Sequence, residues 1–291
     1  MSQKPNYIVI LFYKFINIAD PKALVRLHKE KASQLGLTGR VFIAGEGINA
    51  TLEGTAENIK AYGDFLHKDP LFSDVLIKES KGNGMAFSKL TIKVRPEVVT
   101  LSAGKFDIQK ETAPTITADE LEELYEKDED FVILDLRNDY EISAGKFEKT
   151  IDPGLTNFRD LPDKLKDLEY LKEKKVIPVC TGGIRCEKAT CLLKKEGFKN
   201  VYQLKDGIHT YMQKYPGRYF KGTLFVFDNR MTTDVVDTPN KEIIGRCVFC
   251  NTATENFCSD DGQRPSRKIL CCHDCFESNT GSGKLRLSTT Q

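Results

Sequence analysis

Two groups of cysteines are spaced for chemistry. The first opens with Cys180, which ends the apolar run KVIPVC and is followed by Thr181, Gly182, Gly183, Ile184 and Arg185 before a helix-like stretch. A thiol becomes a good nucleophile only when ionised, and a free cysteine ionises near ~8.5. A turn between a strand and a helix N-terminus directs successive backbone N–H groups inward, where they stabilise negative charge. The two glycines permit the dihedrals of such a ring, and Arg185 adds a fixed positive charge with several donors. The six residues therefore read as a cradle for an anion on sulfur, with Cys180 as the catalytic residue. A plain tight turn with a filler cysteine leaves the coincidence of strand end, glycine pair and arginine unexplained. Cys186 and Cys191 share a helical spacing with Ala189, Leu192 and Leu193 and read as packing on one buried face.

The second group is CVFC, with Cys247 and Cys250, and CHDC, with Cys272 and Cys275, with 21 residues between the pairs. Two such hooks offer four thiolates to one tetrahedral ion, and a small segment with little core gains folding energy from it. Structural zinc is the expected metal, with Cys258, Cys271 and His273 as spare ligands; a reduced, metal-free tail is the alternative. Nine cysteines, an odd number, make no extracellular disulfide framework and suit a reducing compartment.

These residues need elements to position them. Residues 1–100 alternate YIVILFYKFI, DPKALVRLHKEKASQLG, RVFIAGEGINATLEG, TAENIKAYGDFLHKD and DVLIKES. Asp20 and Thr55 stand where helix caps belong, Gly36 where the first helix stops, and Gly45 and Gly47 at a hairpin or bulge. Strand, helix, two strands, helix, strand is the ferredoxin-like α+β order, and SKLTIKVR adds a further strand. A linker at 101–116 leads to a second domain at 117–225. There a capped acidic helix, the strand FVILDL, the helix LPDKLKDLEYLKEK, the strand VIPVC, the helix EKATCLLKKEGF, the strand NVYQL and the helix GIHTYMQKY predict a parallel α/β sheet covered on both faces. Pro178 cannot donate within a ladder and predicts an irregularity at the end of its strand. A connector (226–246), the Cys-rich module (247–276) and a mobile tail (277–291) complete the expected organisation.

The motifs VILDLRNDYE, CTGGIRCEKA and GFKNVYQLKDGI resemble those of rhodanese domains, whose loop cysteine carries sulfur as a persulfide. A six-residue loop is the sulfurtransferase length, and related phosphatases use one residue more. Asp135, Arg137 and Glu141 match a D-x-R…E pattern that the resemblance makes a structural ion pair. Together with LFYKFINIAD, AGEGINATLEG, FSKLTIKVRPEVVTL and FVFDNRM, the chain resembles the bacterial tRNA uridine hydroxylase (TrhO) family over nearly its whole length. That resemblance implies oxygen-dependent formation of 5-hydroxyuridine at the wobble position, with Cys180 as the active-site cysteine, O2 as co-substrate and the tRNA anticodon region as partner. No organic cofactor is identified: the sequence has no dinucleotide fingerprint and no clear two-histidine, one-carboxylate iron site among its four histidines. Two other readings stay open, a general sulfurtransferase and a nonenzymatic RNA-binding adaptor, the latter opposed by the intact Cys180 and Arg185.

The composition, 40% apolar and 29% charged, is that of a globular protein with no membrane-length apolar run. YIVILFY reads as a strand and not as a signal peptide, so a cytoplasmic protein is expected. A net charge of +1 gives no global sign of nucleic-acid binding, although residues 1–100 carry 14 Lys+Arg against 10 Asp+Glu. KYPGRYFKG interleaves Lys214, Arg218 and Lys221 with Tyr215, Tyr219 and Phe220; it reads either as an RNA-contacting segment or, preferably, as a connector whose aromatics pack on the core. EGIN is open in the same way, between an RNA contact and a glycine-dependent hairpin. The oligomeric state is not legible.

Overall fold

The computed structural model describes residues 5–238, 241–262, 266–280 and 285–287. The chain divides into two compact units, Met1–Thr100 and Leu101–Gln291. The first contains β1 (Tyr7–Phe15), α1 (Pro21–Gln34), β2 (Thr38–Ala44), β3 (Gly47–Thr55), α2 (Ala56–Lys68), β4 (Lys78–Lys81) and β5 (Leu90–Val94). Its sheet runs β4-β1-β3-β2-β5. The first four strands are antiparallel, the ferredoxin-like arrangement, and β5 adds parallel to β2 at the edge. Alternation along β1 sends Ile10 and Phe12 into a core with Leu24 and Ala32 of α1 and Ile59, Tyr62 and Leu66 of α2, so both helices cover one face. Asp20 accepts from the Ala23 N–H at 2.9 Å and Thr55 from the Asn58 N–H at 3.4 Å, the two expected caps.

EGIN closes the β2–β3 hairpin. A Cβ on Gly47 would stand 2.1 Å from the Lys14 carbonyl oxygen, so only glycine fits this approach. The Glu46 carboxylate accepts the Val98 N–H at 2.8 Å, and Asn49 donates to the Val98 carbonyl at 3.0 Å. Hairpin geometry and anchoring of the departing chain account for the motif.

In the second unit, four parallel strands run in the order Asn200–Val201, Lys175–Val179, Val132–Asp135, Thr150–Ile151. Ile133, Ile177 and Val179 pack on the helices Ala118–Glu126 and Gly207–Lys214. The alternate residues Leu134 and Val176 are equally buried, as a sheet covered on both faces requires. Pro178 does not interrupt the ladder to Val132–Asp135, where it stands opposite Leu134. Val176 and Pro178 face the other neighbour, whose pairing ends at Val176, so the missing donor leaves no ladder bond unmade. The predicted helix at LPDKLKDLEYLKEK is instead one α-turn, Leu161–Lys164, continued by a 3₁₀ segment, Leu165–Leu171. Buried Leu165, Leu168 and Leu171 recur every third residue, which aligns them in a helix of three residues per turn.

Beyond the sheet, Phe220–Gly222 pairs with Gly145–Phe147, and Phe257–Asp260 lies between Arg267–Leu270 and Leu285–Leu287. The helix His273–Thr280 carries regular structure past 276. The remainder of the expected mobile tail, 281–284 and 288–291, lies outside the described residues.

Candidate active site and metal centre

The strand Lys175–Val179 delivers Cys180 to the C-terminal edge of the parallel sheet, and the helix Ile184–Lys195 starts four residues later. Gly183 turns the chain at φ +104°, a conformation that side-chain-bearing residues avoid, and its N–H points back to Cys180 Sγ at 3.2 Å. The helix Gly207–Lys214 closes the ring from the outside. The Ile208 N–H donates to the Cys180 carbonyl and the His209 N–H to the Thr181 carbonyl, both at 3.0 Å. A Cβ on Gly207 would lie 2.6 Å from the Gly183 nitrogen, so the loop holds its shape only against a glycine there. Gly207 carries only a weak signal in the sequence, a glycine opening a helix after a strand.

Cys180 is 1% exposed. Burial pushes its thiol up, but the Cys186 S–H, the Arg185 charge and the N–H groups of Cys186 and Arg185 together pull it from 9.0 down to about 6. Cys186 is buried as its spacing predicts, yet it also hydrogen-bonds Cys180, and burial with the neighbouring thiolate pushes it well up, so it keeps its proton. Cys191 remains packing: its thiol donates to the Glu187 carbonyl, and burial pushes it up to about 12.

Arg185 supplies its charge as expected, but its side-chain donors go elsewhere. Its guanidinium donates to both Glu141 oxygens, at 2.9 and 3.1 Å, and to the Leu136 carbonyl at 3.3 Å. Its side chain influences Cys180 by charge, while its backbone N–H supplies a direct donor. Glu141 is 0% exposed and belongs to the helix Asp139–Ala144. Asp135 instead pairs with the fully buried Arg137, at 2.7 and 2.9 Å, and Arg137 also donates to the Gly145 carbonyl. The acidic pattern thus splits into a framework pair and an anchor for the loop arginine. Phe227, 45% exposed, lies over the Arg185 guanidinium at 5.4 Å and puts an aromatic ring beside the loop.

KYPGRYFKG is strapped to the acidic helix. Lys214 and Tyr215 bond to Asp119, Arg218 pairs with Glu122 and Glu126 at 3.1 and 2.9 Å, and Tyr219 stacks on Tyr125 at 4.0 Å. Phe220 is buried. These contacts make the segment a connector.

In the second cysteine group, the sulfurs of Cys247, Cys250, Cys272 and Cys275 all lie within 4.8 Å of one another, and those of Cys250 and Cys272 are 3.5 Å apart. A tetrahedral ion with ~2.3 Å bonds to sulfur needs an edge of about 3.8 Å, so one zinc-sized ion fits without rebuilding the hooks. The N–H groups of Cys272, Cys250 and Phe249 point at Cys247 Sγ, the outer bonding expected around a thiolate ligand. Outside the four, the Cys271 thiol donates a hydrogen bond to Cys258, and His273 faces Glu277 at 3.1 Å.

A cysteine ring at the end of a parallel strand, sealed by a buried arginine–glutamate pair, is the arrangement of a rhodanese-like domain. Residues 117–214 match the rhodanese-like domain model, 7–98 the UPF0176 acylphosphatase-like domain and 221–285 the rhodanase C-terminal model. Similar proteins called tRNA uridine(34) hydroxylase occur in Cytophaga hutchinsonii (38% identity over 95% of this chain and 88% of the relative), Aster yellows witches'-broom phytoplasma (40%; 93% and 88%) and Staphylococcus carnosus (36%; 94% and 90%). The chain belongs to the tRNA uridine(34) hydroxylase family.

Proposed function

We propose that this chain hydroxylates the wobble uridine, position 34, of tRNA to 5-hydroxyuridine, with O2 as co-substrate and Cys180 as the catalytic residue. The observation that carries this reading is the intact anion-holding ring in a chain that aligns with the hydroxylases over nine-tenths of its length. Thr181, Gly182, Gly183, Ile184 and Arg185 form the active-site loop. A persulfide on Cys180, made when its thiolate attacks the outer sulfur of a donor such as thiosulfate and sulfite leaves, would carry the reacting atom about 2 Å beyond the buried Sγ. An unpaired anticodon base can be splayed out and stacked on an aromatic side chain, and Phe227 offers such a ring beside the loop. Cys247, Cys250, Cys272 and Cys275 hold a structural zinc ion. No helix among the described residues is long and apolar enough to cross a membrane, and a tRNA substrate supports a cytoplasmic enzyme.

The test is mass spectrometry of tRNA nucleosides from cells lacking the gene, complemented by the wild type or by Cys180→Ala. Loss of 5-hydroxyuridine that the wild type restores and Cys180→Ala does not is the expected result. The short loop favours a second reading, sulfur transfer from a donor such as thiosulfate. Unchanged nucleosides with rapid thiosulfate turnover would replace the first reading with that one.

A further inference from the structure

The four-cysteine module packs against the element that anchors Arg185. Phe257 and Leu270, on two strands of the module, share one buried cluster with Phe225, Met231 and with Ala144 and Tyr140 of the helix Asp139–Ala144. Phe225 meets Phe257 and Tyr140 edge-on, each at 5.1 Å. Arg267 of the module pairs with Asp139, the first residue of that helix, at 2.5 Å. The metal hooks continue directly from this contact: the Leu270 carbonyl accepts the Val248 N–H from within CVFC at 3.0 Å, and Cys272 follows two residues later. A six-residue helix does not hold its own shape, so its position is set by what packs on it. That helix carries Glu141, which grips Arg185 with both oxygens.

We propose that the metal-loaded module is the buttress that fixes the helix Asp139–Ala144, and through Glu141 and Arg185 positions the charge beside Cys180, so that metal occupancy sets the reactivity of the loop cysteine. The proposal rests on the reading of Cys180 as a thiolate and of the four cysteines as a zinc site. The groups acting on Cys180 are Arg185 and Cys186, and those acting on Arg185 are Glu141, Cys180 and Tyr140. None is a metal ligand, so removing the metal reaches Cys180 through packing alone.

The test measures the pH dependence of Cys180 alkylation by iodoacetamide, read at the Cys180 peptide by mass spectrometry, in the zinc-loaded full chain, the chelator-stripped chain and the stripped chain reloaded with zinc. Stripping is expected to raise the midpoint by about one pH unit, the effect of displacing a nearby opposite charge, and to speed hydrogen exchange at 139–144; zinc restores both. Phe257→Ala, which leaves the four cysteines in place, is expected to move the midpoint the same way. If Phe257→Ala keeps its zinc and the wild-type midpoint, or the stripped chain stays folded with an unmoved midpoint, the coupling is refuted. A zinc-loaded wild type whose midpoint is near that of a free thiol refutes the reading of Cys180 itself, and a chain that takes up no zinc refutes the metal site.

Discussion

Replacing Cys186 by alanine isolates one donor to the reactive sulfur. Its S–H bonds to Cys180 Sγ, and both residues are sealed from solvent, so water cannot take over the bond. Hydrogen bonds to charged groups contribute about 1.5–3 kcal/mol. A thiol is a weak donor, which puts this one just below that range, about 1.4 kcal/mol or one pH unit. Cys180 should therefore titrate near 7 in Cys186→Ala and near 6 in the wild type. Rates at a single pH would mislead. A less acidic thiol gives a more nucleophilic thiolate, with a Brønsted slope of about 0.4–0.5, so the high-pH plateau rises roughly threefold while the thiolate fraction at pH 6 falls about fivefold. The net change at pH 6 is only about twofold, whereas the midpoint moves a full unit. The assay is Cys180 alkylation from pH 4.5 to 9. Cys186→Ser keeps a hydroxyl donor and should hold the midpoint low. An alanine variant with an unmoved midpoint would mean that Cys186 is packing alone.

Three other perturbations test the arrangement. Gly207→Ala places a Cβ against the loop backbone at a residue with φ +73°, and should lower the stability of the second unit by at least about 2 kcal/mol and raise the Cys180 midpoint, checked by thermal unfolding and alkylation. Phe227→Ala should raise KM for tRNA while leaving Cys180 alkylation unchanged, and Phe227→Tyr should restore KM. In the first unit, burial holds His28 down at about 4 from 6.5 against a weaker opposing pull from Asp69. The unfolded chain then binds a proton that the folded one refuses, so this stability is present above pH 6.5 and declines as pH falls toward 4, by about 3 kcal/mol. Hydrogen exchange of the first unit at pH 4.5 and 7 measures it, and His28→Gln should flatten the difference.

The sequence carried local signals well. The strand and helix order of the first unit, the caps Asp20 and Thr55, and the six-residue ring follow from neighbours along the chain, whereas the helix Asp139–Ala144 stands where the sequence reads as a charged turn and the strand Thr150–Ile151 carries no run long enough to be read. What it hid are contacts between distant segments. Glu141 and Arg185 are 44 residues apart, and no local pattern says that this glutamate, and not Asp135, takes the loop arginine. Cys186 sits at a spacing that fits a buried helical face, and that reading is correct as far as it goes. Its second role appears only because the loop brings Cys180 back onto the first turn of the helix. The basic stretch KYPGRYFKG shows the converse: an RNA contact stays open in one dimension beside the preferred connector, and in three dimensions Lys214 and Arg218 pair with the acidic helix while Lys221 pairs with Glu148.

The two cysteine groups also separate by physics that spacing alone conveys poorly. Around Cys180 the structure supplies donors and a cation, and the one thiol close by keeps its proton, so a lone negative charge is comfortable there and remains free to react. A divalent ion would be repelled by Arg185 and would find two sulfurs at most. Around Cys247 the balance is inverted, with four sulfurs inside 4.8 Å of one another. Four thiolates that close cannot ionise together in isolation, so the group must either retain protons or take up a cation that neutralises them. The surroundings of the two groups therefore suit sulfur to different chemistry, amides and a guanidinium favouring a lone thiolate in the first and other sulfurs favouring a shared cation in the second.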